Sequence, residues 1–333
     1  MIKTIFFRVD GDDGKYSGLG HISRTLKFYT FLKKKLNNKF KFVFLSKYKE
    51  GINIIKNQTN EKIIRFSKES LKKINFNKND IVIIDTLGAE NFFLKKLNKK
   101  KIKKVSFDEL DLKNFKLGLI INGILFTKKK IDSKKNIKIY QGTDYLILDK
   151  SFSKKKFPFQ RKDGSIKKFF ICSGGADYKN FLFKITSFLL RYTTYEINVV
   201  IGSSVKKNNK IFNLKNKRLN KFYNITNIKA LMEKNDIIIC TGGTIMFESI
   251  STGFKPIVFE NYKHQKYAIR YFLNKDQIIY AKKFNDKNIS NLDLLINKID
   301  KLNKIRSFKK NTKEIDGKGL FRVNKILIDY ING

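Results

Sequence analysis

The sequence predicts an α/β protein of two Rossmann-like domains, each a parallel sheet covered by helices, and three observations lead there. Short apolar, β-branched runs alternate with helix-period segments from one end of the 333-residue chain to the other, the alternation that parallel sheets require. Several of these runs are apolar on both faces, as strands buried beneath helices are. A polar stretch, "DKSFSKKKFPFQRKDGSIKK" (149–168), holds one of the 2 prolines and separates two such sets, which makes it the interdomain linker. The expected boundaries are 1–150, 151–315 and a last segment, 316–333, that packs back on the first domain. A chain of this length suits two domains of ordinary size.

The strands of the first half are expected at "TIFFRV" (4–9), "KFVFLS" (41–46), "DIVIID" (80–85), "KKVSFD" (103–108) and "LGLIIN" (117–122). Those of the second half are "KFFICS" (168–173), "INVVIG" (197–202), "DIIIC" (236–240), "KPIVFE" (255–260) and "QIIYA" (277–281). After the first strand, Ile22, Leu26, Tyr29 and Leu32 recur at helical spacing. The closing segment repeats that spacing with Leu320, Val323, Ile326, Leu327 and Ile331, an amphipathic helix. No repeat of 20–50 residues stands out.

Lys plus Arg number 72 against 29 for Asp plus Glu, a net charge of +43. Such an excess raises the prospect of nucleic acid or an anionic surface. Lysine, however, is spread through nearly every segment beside abundant Asn, Ile and Phe, while Trp is 0, which is the mark of compositional drift. No arginine-rich arm or RNA-type aromatic ladder accompanies it, so nucleic acid is not an expected partner. The first apolar run is too short for a signal peptide, and no stretch approaches the roughly 18 apolar residues of a membrane span. A cytoplasmic monomer with no stable membrane insertion is expected. Cys172 and Cys240 each end an apolar run and read as small buried hydrophobes.

Three strand-to-helix turns carry glycine, and in parallel α/β sheets such turns lie where ligands gather and helix amino ends attract phosphate. In "RVDGDDGKYSGLGHISR", Gly18 and Gly20 allow close backbone approach and place His21 on the first turn of the helix. There the helix's positive end favours a neutral ring that can accept a proton; a histidine merely capping its helix is the plain alternative. The turn is no dinucleotide fingerprint, because the third glycine is missing. In "FFICSGGADYKN", Gly174 and Gly175 could position a phosphate, or the turn could simply be tight with Asp177 as its cap. In "DIIICTGGTIMFESI", amides of Gly243 and Thr244 can cradle a diphosphate while Glu248, one turn on, can accept both hydroxyls of a ribose. A solvated Glu248 is the alternative.

The order of these motifs resembles the UDP-sugar hydrolases of pseudaminic acid biosynthesis, which act on UDP-2,4-diacetamido-2,4,6-trideoxy-β-L-altropyranose, and the related spore-coat polysaccharide proteins. The resemblance runs through "FRVDGDDGKYSGLGHISR", "IIIDTLG", "SFDEL", "LIINGI", "YQGTDYLILDKSF", "ICSGGAD", "VVIG", "IKALMEKNDIIICTGGTIMFESISTGFKPIVFENYKHQKYA" and "DGKGLFRV". It implies the GT-B architecture, two Rossmann-like domains facing each other across a cleft. It implies His21 as the catalytic residue, with Asp10, Gly18, Gly20, Arg24, Asp85, Gly174 and Gly175 on the substrate. It places UDP on Thr241, Gly242, Gly243, Thr244, Glu248 and Gln265. Asp10 and Asp12 or Asp13 are candidates to orient His21 or contact the sugar, or else are surface aspartates of a polar turn. Thr143, Leu87 and His264 depart from the family pattern; Leu87 leaves the sugar open, and His264 carries less weight than Gln265.

The implied reaction is attack of water on the anomeric carbon with inversion, needing neither metal nor cofactor, with UDP-sugar and water as the only partners. A glycosyltransferase using the same UDP site, with His21 deprotonating a sugar or lipid hydroxyl, is the competing reading.

Overall fold

The computed structural model describes residues 3–12, 19–36, 39–86, 88–107, 115–123, 136–153, 168–225, 227–290 and 314–333. Of the sequence expectations, Gly18, Asp13, Leu87 and most of the linker lie outside these residues. The chain divides into two compact units, one of residues 1–149 with 318–333 and one of residues 150–317.

The first unit contains β1 (Lys3–Val9), α1 (Gly20–Leu36), β2 (Phe40–Ser46), α2 (Lys49–Gln58), β3 (Lys62–Arg65) and α3 (Lys68–Lys73). It continues with β4 (Ile81–Asp85), α4 (Asn91–Lys99), β5 (Lys103–Phe107), β6 (Leu117–Asn122) and β7 (Asn136–Gln141). Its strands form a seven-stranded sheet in the order β3-β2-β1-β4-β5-β6-β7, with every pairing parallel. Phenylalanine fills both layers. Under α1, Phe7 stacks on Phe44 at 4.9 Å and Phe28 on Phe107 at 4.9 Å; on the other face Phe6 meets Phe76 edge-on at 4.9 Å. The expected stripe Ile22, Leu26, Tyr29 and Leu32 is buried, and Val323, Leu327 and Ile331 of the closing helix (Gly319–Asn332) join the same core.

The second unit contains β8 (Lys168–Cys172), α5 (Phe181–Tyr192), β9 (Glu196–Ile201), β10 (Leu219–Tyr223), α6 (Ile228–Glu233) and β11 (Ile237–Thr241). After these come α7 (Thr244–Ser251), β12 (Ile257–Glu260), α8 (Gln265–Asn274), β13 (Ile279–Lys283) and α9 (Asp286–Ser290). The order is β10-β9-β8-β11-β12-β13, again parallel throughout. The core gathers on Phe181, which meets Phe284 at 5.0 Å and Phe259 at 5.7 Å.

The strands the sequence did not reveal, β3, β7 and β10, are all edge strands. Their sequences KIIR, NIKIYQ and LNKFY keep one side in solvent and hold no continuously buried run. At the remaining edge, β13 occupies Ile279–Lys283, two residues later than expected.

Long cations close several helices. Lys96 Nζ donates to the carbonyls of Leu71 and Ile74 at the end of α3, and Arg218 donates to the carbonyls of Leu190, Thr193 and Tyr195 at the end of α5. Lys221 Nζ donates to the carbonyls of Phe212, at 2.7 Å, and Leu214, at 3.1 Å, where a three-residue 3-10 turn (Lys210–Phe212) ends.

Among the described residues two lysines, Lys104 and Lys229, are buried, and Lys229 Nζ donates to Ser151 O at 3.0 Å. Lys104 on β5 is fully buried, and its Nζ has no hydrogen-bond partner among the described residues, standing 5.4 Å from the Phe115 ring centre. Burial lowers its amine from 10.5 to about 8. The fold therefore favours the neutral amine, so stability is withheld below about pH 8 and recovered as pH rises toward the unfolded value. Lys104→Met should raise the urea midpoint at pH 7 by an amount worth about 1–2 kcal/mol. The gain over wild type should shrink between pH 8 and pH 10; an equal gain at both pH values removes the assignment.

Candidate functional site

At the carboxyl end of β1 the chain enters an acidic loop that is fixed from beneath. Arg8 is fully buried and grips Asp10 through two bonds of 2.6 Å each, while its Nη2 also donates to Glu90 at 2.5 Å. The Arg8 guanidinium lies 4.0 Å from the Phe66 ring, and Asp10 accepts the Lys47 amide at 2.9 Å. Asp10 is thus an anchor of the loop, held by Arg8 on the face away from α1. Asp12 is buried as well.

Gly20 opens α1, and His21 follows on its first turn. His21 Nδ1 is 2.6 Å from Asp85 Oδ1. Arg24 Nε donates to Asp85 Oδ2 at 2.8 Å, Arg24 Nη2 donates to Oδ1, and Thr25 Oγ1 reaches Oδ2 at 3.2 Å. Asp85 arrives here because β4 pairs with β1 in the register Val9↔Asp85, bringing the last residue of a wholly buried strand beside the start of α1.

Burial alone would raise the Asp85 carboxyl; Arg24 and then His21 outweigh it and hold it at about 2. An ionised carboxylate only accepts, so the proton between the two residues belongs to His21 Nδ1, and Nε2 is the ring nitrogen on the side away from Asp85. Asp85 is thus a group that orients His21, while Asp10, a candidate for that task, is bonded to Arg8 and the Lys47 amide. Asp85 and Arg24, expected on the substrate, pack beside the histidine: the Asp85 side chain is 1% exposed, with both oxygens bonded within the cluster.

In the second unit three strand ends converge. After β8, Gly174 takes a φ of +95°, so the turn itself calls for glycine there. Asp177 accepts the Leu182 amide at 3.2 Å and Asn209 Nδ2 at 3.0 Å, and burial raises its carboxyl to about 6. It caps α5 from a distance and ties two loops together. Thr241 Oγ1 donates to Ser173 O at 3.0 Å, so this side chain joins β11 to the β8 turn.

Gly242 and Gly243 differ in what they require. A Cβ on Gly242 would stand 2.6 Å from Ile269 Cδ1 and 3.2 Å from Gln265 Cβ, so α8 packs directly on that backbone. A Cβ on Gly243, whose φ is −98°, would meet nothing nearer than Gln265 Nε2 at 3.8 Å. The space in front of Gly243, at the amino end of α7, is open. Thr244 beside it is exposed.

Gln265 is 95% buried, since its exposure is 5%. Its Oε1 accepts the amides of Asn261 at 2.8 Å and Tyr262 at 3.2 Å, which fixes the side-chain amide and turns Nε2 toward Gly243 as a donor. Glu248, half-buried on α7, lies near enough to Cys172 and Cys240 to help raise both thiols, although burial is the larger cause; the Cys172 thiol is pushed up to about 12. That proximity places Glu248 over the ends of β8 and β11, where the two cysteines are register partners, buried and not joined by a disulfide.

Among the described residues no group of three or more His, Cys, Asp or Glu side chains could hold a metal ion, and no helix is long and apolar enough to cross a membrane. Sequence reasoning missed the stacking of Tyr262 on His264, whose rings lie 5.5 Å apart and 8° from parallel.

No known family profile matches the chain. It is 30% identical over 273 residues to the uncharacterized protein MJ1062 of Methanocaldococcus jannaschii, covering 78% of this chain and 56% of that protein, so it spans just over half the relative's length. It is 27% identical over 279 residues to the spore coat polysaccharide biosynthesis protein SpsG of Bacillus subtilis, covering 78% and 79%. The calicheamicin glycosyltransferase CalG4 superposes with a TM-score of 0.59 at 9% identity, covering 100% of this chain and 99% of its own. The fold is GT-B. The UDP-GlcNAc 2-epimerase of Neisseria meningitidis bound to UDP-GlcNAc (TM-score 0.57, 13% identity, 98% and 100% covered) and MurG of Acinetobacter baumannii (0.53, 11%, 99% and 99%) agree. In this GT-B chain, the histidine cluster belongs to the first unit and the open glycine turn to the second.

The two adjacent glycines give opposite expectations. Gly242→Ala should lower the urea midpoint by the equivalent of about 1–3 kcal/mol, because α8 must shift. Gly243→Ala should stay within about 1 kcal/mol of wild type. Equal losses at the two positions contradict the geometry.

Proposed function

We propose that the protein is a UDP-sugar hydrolase in which the second unit holds the nucleotide and His21 of the first unit activates water. The observation that carries this reading is the pairing of His21 Nδ1 with an ionised Asp85 at 2.6 Å, and the reading assigns Nε2 as the atom that takes the proton. The open space before Gly243, the Gln265 Nε2 donor and Glu248 support a diphosphate and a ribose on the second unit. The likeness to SpsG, a spore coat polysaccharide biosynthesis protein, supports a sugar destined for a surface glycan.

In the reaction, water oxygen attacks the anomeric carbon and its proton passes to His21 Nε2. The bond from that carbon to the β-phosphate oxygen breaks, and its electron pair leaves with UDP. Inversion follows from attack opposite the leaving group. Asp85 steadies the imidazolium as it forms, and Arg24 keeps Asp85 ionised while the proton moves. The sugar assigned is a 2,4-diacetamido-trideoxy hexose, released free for nonulosonic acid synthesis. Of the residues first expected on the substrate, Gly20, Gly174 and Gly175 remain assigned there.

A glycosyltransferase differs only in the acceptor, and the likeness to CalG4 and MurG keeps that reading in play. Incubation with UDP-sugars in heavy-oxygen water, without acceptor, separates the two: label in the free sugar supports hydrolysis, and UDP release only on adding an acceptor supports transfer. His21→Ala and Asp85→Asn should each lower kcat by about 10²–10⁴ with UDP affinity nearly unchanged. Glu248→Ala and Gly243→Ala should weaken UDP binding about tenfold or more. Normal turnover by His21→Ala would falsify the catalytic assignment.

A further inference from the structure

We propose that the first unit carries a second ligand site, for a small organic phosphate, in a notch at the amino ends of β2 and β3. β2 begins at Phe40, whereas the edge strand β3 begins at Lys62, opposite Val43, so Phe40, Lys41 and Phe42 run on past their neighbour. Beside them lies an open pocket of about 390 Å³, within the range that small-molecule ligands occupy. Phe40, Phe42 and Val43 give it an apolar wall, and the last turn of α1 adds Lys33. Lys41 and Lys62 complete the lining together with Glu61. Val43 and Lys62 are register partners, and Lys41 lies two residues before Val43, so the two lysines project from one face of the sheet as a diagonal pair.

The charges of the pocket divide into a spent pair and an unspent one. Lys33 Nζ donates to Glu61 Oε1 at 2.7 Å and to the Tyr29 hydroxyl at 3.1 Å, and that hydroxyl donates to the same carboxylate oxygen at 2.8 Å. Lys33 and Glu61 thus neutralise each other in the wall. Lys41 and Lys62 are exposed, and neither makes a side-chain hydrogen bond or ion pair with any of the described residues. Two unengaged ammonium groups beside phenylalanine and valine suit a dianionic head on a compact apolar body, the chemistry of a phosphate monoester. Lys34 and Lys35, also in the last turn of α1, offset the negative end of that helix, which would otherwise repel an anion. The concave apolar wall separates this pair from the general lysine coat. The notch is also remote from the histidine cluster: it lies at the strand starts, Asp85 lies at a strand end, and His21 and Lys33 are about 18 Å apart along α1.

Equilibrium dialysis of the full-length protein against phenyl phosphate, at low salt and about pH 7.5, where a phosphate monoester is dianionic, tests this. Lys41→Gln combined with Lys62→Gln should weaken binding about tenfold or more and leave the urea midpoint unchanged, since both side chains are exposed. Lys78→Gln combined with Lys95→Gln removes the same charge from exposed positions elsewhere on the unit and should weaken binding less than about twofold. His21→Ala and Gly243→Ala should bind as wild type does. Equal losses from the two lysine pairs reduce the effect to net charge and overturn the site. Loss in Gly243→Ala with retention in the Lys41 and Lys62 variant moves the phosphate to the second unit and overturns it too. Sedimentation with phosphatidylglycerol vesicles that depends on Lys41 and Lys62, without binding of phenyl phosphate, overturns it in favour of a lipid surface.

Discussion

A carboxylate can stay ionised in a protein interior only if cations and donors replace the water it has lost. Asp85 is that carboxylate, at the end of a strand with no exposed residue, and the upper part of the first unit is arranged around it. Arg24 supplies the charge, Thr25 a hydroxyl, and His21 an N–H. Because α1 carries all three in its first turns, the strand pairing of β1 with β4 fixes the orientation of the imidazole as surely as it fixes the sheet. The loop aspartate Asp10 is drawn the other way, to Arg8, so Asp85 and Asp10 serve opposite faces of the sheet.

The second unit solves a different problem, which is to keep backbone donors uncovered. Gly242 lets α8 press against the turn, while Gly243 leaves the front of α7 open. Gln265 links the two by bonding the β12–α8 loop with one end of its amide and facing the turn with the other. Thr241 and Asp177, polar and close by, are occupied in joining loops to strands. The polar residues near a strand end thus divide into those that shape the turn and those left able to meet something outside the protein.

Much of this was legible in the sequence. Strands buried on both faces announce themselves as unbroken apolar runs, and α1 and the closing helix do so by their spacing. The edge strands β3, β7 and β10 escaped because a strand paired on one side keeps polar residues and looks like loop. Within the site, Asp85, His21 and Arg24 could each be chosen from their motifs, yet the partnership of Asp85 with His21 could not. It depends on which strand lies next to β1, and sequence proximity favoured Asp10 and its neighbours. Thr241 shows the same limit: its residue type fits a phosphate turn, and only its bond to Ser173 reveals that the hydroxyl is engaged within the protein, whereas the capping role of Asp177 could be read from the sequence.

The cationic excess has a use that composition alone conceals. Lys96, Arg218 and Lys221 reach back to carbonyls where helices and a 3-10 turn stop, a task other proteins often give to glycine. A chain with 19 glycines and 2 prolines can in this way finish its helices with the residue its codons most readily provide. Wholesale acylation of the lysines would then do more than neutralise the surface: it would remove the charged donors that Lys96 and Lys221 supply to these helix and turn ends.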